Sequence, residues 1–167
     1  MRKFVLLLVG VLFATVAFPQ LESKTGASIG VGVQGVELGI SRVVKPRFIV
    51  ALSGGIGYNF SEFTLWASGI YERPINQQSM LFAGAKVGLR RVSNDQFTVT
   101  LGLAQPCIGY TYAIGSAAKH RLSATAGYII GETDYRQRES NAFGELEYIG
   151  TYKPKRFDLS LSYSYWF

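Results

Sequence analysis

From Phe157 to Phe167 the chain alternates apolar and polar residues without a break. Phe157, Leu159, Leu161, Tyr163, Tyr165 and Phe167 share one face, and Asp158, Ser160, Ser162, Ser164 and Trp166 share the other. A strand projects successive side chains to opposite sides, so this segment predicts a ribbon with one greasy and one wet surface. Such a ribbon suits a soluble sandwich or lipocalin-like barrel whose greasy side faces a core. It equally suits a membrane barrel with lipid outside and a polar lumen inside.

The same parity recurs along the chain. Ile29, Val31 and Val33 share a face, and Val36, Leu38 and Ile40 continue after a phase change at Gln34 and Gly35. Phe48, Val50, Leu52, Ile56, Tyr58 and Phe60 form the next run, joined by a two-residue turn at Ser61 and Glu62 to Phe63, Leu65, Ala67 and Tyr71. Leu81 to Leu89, Phe97 to Leu103, Ile108 to Ile114 and Leu122 to Ile130 follow, and Leu146, Tyr148 and Tyr152 are expected to face the C-terminal strand. Taking residues 27 to 44 as one strand and separating 97–104 from 108–115 gives nine runs, an odd number that a single-chain bacterial barrel does not have. A hairpin at Gln34–Gly35 makes the count ten; a bulge at Gln105–Pro106 within one long strand makes it eight. Ten is favoured because it keeps neighbouring strands of matched length. The polar stretch Glu132 to Asn141 reads as a surface loop, yet counting back from Phe167 puts it on the same side as Phe167, where turns are short.

The N-terminus separates the two solvents. Arg2 and Lys3 precede an uncharged apolar run from Phe4 to Ala14, closed by Pro19, Gln20 and Glu22, which reads as a cleaved secretory signal peptide over 1–20 and leaves 21–167 as one domain. Aromatic residues make up 14% of the chain, and the 10 tyrosines suit a membrane interface where a ring sits in lipid and its hydroxyl in headgroups. Loss of Arg2 and Lys3 lowers the net charge from +6 to +4, scattered along the chain, which argues against nucleic acid and favours anionic lipid as counter-charge. Cys107 is the lone cysteine, so no internal disulfide can form; beside Pro106 it reads as a small apolar filler near a turn.

Parity also predicts what faces the lumen. Small residues dominate, among them Gly30, Gly39, Gly84, Gly88, Gly102, Gly109, Gly127, Thr98, Thr100 and Ser123, which let a narrow barrel close. Glu37, Lys86, Arg90, Arg121, Glu145, Glu147 and Asp158 carry charge on that side. Isolated charges in a confined interior are costly, so the three cations are expected to pair with some of these acids and plug the lumen. Glu145 and Glu147 are expected beside Asp158 across the last hairpin. Trp66 and Trp166 also fall on the inward parity, Trp66 as lumen filling.

Signal peptide, successive hairpins and the terminal run Leu159, Leu161, Tyr163, Tyr165, Phe167 resemble the small bacterial outer-membrane β-barrels of the OmpX and OmpA-domain kind. The resemblance implies an all-β, antiparallel up-and-down transmembrane barrel of eight to ten strands in the bacterial outer membrane. It implies outer-membrane lipid or lipopolysaccharide as surroundings, transient handling by periplasmic chaperones and the barrel-assembly machinery, and a monomer. In that family the terminal aromatic strand is read as an assembly signal, a place that Phe167 would hold.

Catalysis finds no constellation. His120, the only histidine, lies three residues before Ser123, which in a strand places the two on opposite faces; it reads as a rim residue. One histidine and one cysteine apart from acids make no metal set, and no cofactor motif is present. The sequence therefore predicts a structural or surface-interaction role with a plugged lumen, against a narrow pore and, behind that, a lipid-modifying enzyme.

Overall fold

Ten strands organise the chain: β1 (Thr25–Gly32), β2 (Gly35–Lys45), β3 (Phe48–Ile56), β4 (Glu62–Pro74), β5 (Ser79–Ser93), β6 (Thr98–Ile114), β7 (His120–Tyr128), β8 (Thr133–Asn141), β9 (Gly144–Tyr152) and β10 (Phe157–Trp166). The structure, a computed structural model, describes residues 25–94, 97–115, 119–141 and 144–167, with the side chains of 137–147 outside the description. The segment expected to be a signal peptide lies outside the described residues.

Eight strands close into an antiparallel barrel in the order β1-β10-β7-β6-β5-β4-β3-β2, and β8 with β9 forms a separate two-stranded sheet. The ten-stranded barrel is therefore corrected to eight: the hairpin at Gln34–Gly35 is present, but the break at Gln105–Pro106 is not, and the run from Leu146 to Tyr152 lies in the separate hairpin. Gln34 does sit in a hairpin turn, with Gly32 opposite Gly35, so residues 27–44 make two strands. Gly35 takes φ +135°, and a Cβ there would collide with the Ile56 carbonyl, which explains glycine at this turn. The chain runs straight through Gln105 and Pro106, however, and β5 pairs with β6 from Ser93↔Thr98 to Ser79↔Tyr112 without a slip. Neither a hairpin nor a bulge lies there.

What changes at Gln105 is which side of β6 is apolar. Below it Ile108, Tyr110, Tyr112 and Ile114 point outward; above it Thr98, Thr100 and Gly102 take the exposed outward side. Val99, Leu101 and Leu103 turn inward and are buried. The expectation that Gly102, Thr98 and Thr100 line the lumen is corrected accordingly. The upper half of β6 extends past β7, whose pairing begins at Cys107, and the β8–β9 hairpin roofs its inner side.

The segment Glu132 to Asn141 supplies β8 rather than a loop, and β9 pairs with β8 instead of β10. Leu146, Tyr148 and Tyr152 thus belong to the hairpin, not the wall. Strand β7 starts beside Tyr165 and runs away from it, so the hairpin leaves from the barrel end opposite Phe167, and the misfit in turn lengths disappears. The β3–β4 turn is also longer than two residues: Gly57 N donates to Glu62 O at 2.9 Å, enclosing Tyr58 to Ser61, and Phe60 stands at the tip with φ +56°.

The greasy side faces outward all round. Leu38, Ile108 and Leu161 are 60–65% exposed on the outer wall, whereas Asp158 and Trp166 of β10 are 7% and 5% exposed on the inside. At the hairpin end the inside holds an apolar cluster, where Trp66, Val92, Val99, Leu101, Leu103 and Ile129 pack beneath Phe97, Tyr135 and Tyr152; Ile49, Phe82 and Trp166 are buried singly toward the other end.

Candidate functional site: a filled lumen under an apolar cap

Large inward side chains stand over glycines of neighbouring strands. A Cβ on Gly88 would strike the Trp66 ring, on Gly109 the Phe82 ring, on Gly127 the Gln105 amide and on Gly26 the Trp166 ring. Alternating large and small side chains is how a narrow barrel fills its bore.

Three ion pairs cross the interior at successive heights. Near the end that holds Thr25 and Phe167, Arg121 Nη1 donates to Glu72 Oε2 at 3.2 Å, and its guanidinium lies 4.6 Å from the Trp166 ring centroid, a cation–π contact that caps this end. At mid-height Lys86 Nζ lies 3.4 Å from Glu37, and Gln105 Nε2 donates to the buried Asp158 Oδ2 at 2.9 Å. Below the cap Arg90, 2% exposed, donates from Nε to Thr64 Oγ1 at 3.1 Å, and from Nη1 to Gln34 Oε1 at 3.0 Å and to Glu62 Oε2 at 3.4 Å.

Two more groups tie this layer to the hairpin side. Tyr152 of β9 donates its hydroxyl to Glu62 Oε1 at 3.1 Å, and burial, followed by the Glu62 charge, raises the Tyr152 pKa above its ordinary value. Gln34 Nε2 donates to the carbonyls of Lys155 and Phe157. Between the ion pairs lie two polar cavities of about 100 and 140 Å³ that share Glu37 and Lys86 in their walls. Each has room for a few waters; among the described residues Gln105 Oε1 and Arg121 Nε are buried without a protein partner, and Arg121 lies in the wall of the larger cavity, where a water can satisfy it.

Of the charges expected in the lumen, Glu37, Lys86, Arg90, Arg121 and Asp158 all line it. Asp158 meets Gln105 rather than a cation, and Arg90 and Arg121 take Glu62 and Glu72. Glu145 and Glu147 are corrected: β9 pairs with β8, opposite Ser140 and Arg138, so neither stands across a hairpin from Asp158, and their side chains lie outside the described residues. Sequence reasoning missed Gln34, Glu62, Thr64, Glu72 and Gln105. Glu62 and Glu72 share the even parity of Trp66 and Ser68 on β4, and carrying that parity to both strand ends finds them. Gln105 was hidden by the swap of the apolar side.

His120 lies outside the lumen, with Nδ1 2.6 Å from the Tyr163 hydroxyl, while Ser123 points inward to Thr111 at 2.9 Å. The two sit on opposite faces of β7. Cys107 is buried inside the wall of the lower cavity, in mid-strand rather than near a turn. The run Leu159, Leu161, Tyr163, Tyr165 holds the outward face of β10 between β1 and β7, with Phe167 exposed beyond its end. Among the described residues no group of three histidines, cysteines or acids is placed to hold a metal.

The N-terminal β-barrel domain of OprF from Pseudomonas aeruginosa superposes with a TM-score of 0.59 at 14% identity, covering 87% of this chain and 96% of that domain. A major outer membrane protein from Thermus thermophilus gives 0.56 at 12% identity, covering 88% and 100%. The fold is that of small outer-membrane β-barrels. No protein-family model and no curated protein matches the sequence. At these identities the likeness is one of fold alone.

Proposed function

We propose that this protein is a small integral protein of the bacterial outer membrane, with a plugged barrel as anchor and the β8–β9 hairpin as the surface it presents. The carrying observation is the inverted distribution of polarity: the wall is apolar outside and charged inside, and on β6 the apolar side turns inward above Gln105. Outward residues Leu81, Ala83, Ala85, Val87 and Leu89 on β5 are followed by Arg91. The nine-residue segment from Leu81 to Leu89, in a strand tilted by about 40°, spans roughly 20–25 Å, the height of the apolar band of an outer-membrane barrel. Tyr71, Tyr110, Tyr112, Tyr163 and Tyr165 gather toward the end that holds the termini, and Tyr128, Phe157 and Phe63 toward the other, as two interface belts. Placing Phe167 in the periplasm puts the hairpin outside the cell.

Three ion-pair layers and an apolar cap in series favour a closed lumen. Folded protein inserted in a planar bilayer is expected to give no resolved single-channel conductance, and heat-modifiable migration on detergent gels is expected from the closed barrel. Steady picoampere-scale openings would instead favour a narrow pore, a reading that draws on the two polar cavities meeting at the Lys86–Glu37 pair. Unchanged lipid A spectra from cells with and without the protein are the outcome expected of a non-enzyme.

A further inference from the structure

Along the inward side of β10, Asp158, Ser160 and Ser162 stand at alternate positions, and the ladder sets Gly127, Thr125 and Ser123 of β7 opposite them in turn. Asp158, Ser160, Ser162 and Thr125 all line the smaller of the two lumen cavities, of about 100 Å³. Because Gly127 has no side chain, Gln105 reaches across β7 and its Nε2 donates to Asp158 Oδ2 at 2.9 Å. Asp158 Oδ1 and the hydroxyls of Ser160, Ser162 and Thr125 have no protein partner among the described residues. Four oxygen groups on two neighbouring strands thus share one enclosed space with unused lone pairs.

The cations in this part of the lumen are engaged elsewhere. Lys86 Nζ lies 3.4 Å from both oxygens of Glu37, and Arg90 is bonded by Thr64, Gln34 and Glu62. Among the described residues no cationic side chain stands within ion-pair distance of Asp158, which is 7% exposed. A carboxylate taken out of bulk water and held by one neutral amide lacks a counter-charge, and cavity water can bond it without neutralising it. Hard cations take oxygen ligands, from carboxylate and neutral oxygen donors alike, and their affinity follows the number of ligand charges. One uncommitted carboxylate among neutral hydroxyls matches a single positive charge, whereas a calcium site brings several carboxylates together.

We propose that Asp158, Ser160, Ser162 and Thr125 form a binding site for a monovalent alkali cation within the barrel. The proposal deepens the filled-lumen reading above: the ion supplies the counter-charge that the protein does not. The test follows urea unfolding of the protein, folded in detergent, by tryptophan fluorescence in sodium chloride or choline chloride of equal ionic strength. A ligand that binds only the folded state raises the midpoint as its concentration rises. Sodium is expected to raise it and choline is not, because the methyl groups of choline keep oxygen ligands away from its charge. Ser160→Ala and Thr125→Val are each expected to raise the sodium concentration for half the effect by about three- to tenfold. Asp158→Asn abolishes the response, and Glu132→Gln, which removes an exposed acid at the hairpin end, preserves it. Sodium-23 line broadening by the folded protein, lost in Asp158→Asn, reads the bound ion directly. Equal midpoints in the two salts, or a sodium response that survives in Asp158→Asn, overturn the proposal. A Ser160→Ala/Thr125→Val double variant that responds like the parent overturns it as well, whether or not Asp158→Asn folds. Failure of the closed-lumen reading has a separate signature, single-channel conductance, and failure of the barrel itself shows as loss of the compact, heat-modifiable form.

Discussion

Replacing Arg90 by methionine tests whether the lumen network holds the barrel shut. The guanidinium is 2% exposed and is bonded by Thr64, Gln34 and Glu62 at once. Breaking a buried pair by removing one partner costs about 3–5 kcal/mol, because the remaining charge stays uncompensated. Here Glu62 keeps the Tyr152 hydroxyl and its side chain is 25% exposed, so the lower end applies, about 3 kcal/mol or a shift of more than a hundredfold in the folding equilibrium. Urea unfolding in phosphocholine vesicles, read by tryptophan fluorescence, measures it. Adding Glu62→Gln to Arg90→Met is expected to recover about half the loss by removing the orphaned acid. A loss below about 1 kcal/mol for Arg90→Met, or a double variant worse than the sum of the singles, would refute the reasoning.

Other expectations follow from the same geometry. Trp66→Ala opens the cap where Leu101, Leu103 and Ile129 meet and should cost about 3–4 kcal/mol in the same unfolding assay, with the β8–β9 hairpin cut faster by protease. Gly127→Val drives a side chain into the Gln105 amide and releases Asp158 from its donor; a loss of about 1–3 kcal/mol is expected, against little change for valine at the exposed Gly102. Tyr152, whose pKa burial raises, holds its proton more tightly when docked, so its contribution is complete below the ordinary phenol range and is lost as pH rises through the raised value. Hairpin proteolysis should accelerate above about pH 10 in the parent and lose that step in Tyr152→Phe.

The barrel was legible where outside and inside keep the same two environments from one end of a strand to the other. That holds for β1 to β5, β7 and β10, whose apolar parity reads directly onto the outward face. It fails on β6, because periodicity reports which residues share a side but not which side is out. A strand that passes from a greasy exterior to a wet one exchanges its faces without any kink, and in sequence this is indistinguishable from a bulge or a turn. The hairpin was hidden for a related reason: Leu146, Tyr148 and Tyr152 alternate like wall residues, and only pairing shows that their partner is β8. In the lumen the cations were found, yet two of their acids sit at strand ends, where parity competes with turn chemistry. Glu62 therefore read as a turn residue although it closes the layer beneath the cap.

The excursion that carries β8 and β9 begins and ends at nearly one point, since Ile129 N donates to the Arg156 carbonyl at 2.6 Å. With its two stems clasped there, β7 and β10 can zip along their shared ladder whatever the length of chain between them, and a longer span adds only a logarithmic closure cost. Residues from Glu132 to Lys153 thus form a cassette that can be exchanged, provided that Ile129 and a substitute for the Tyr152 hydroxyl are retained. The staves beneath it fold alike whichever cassette they carry.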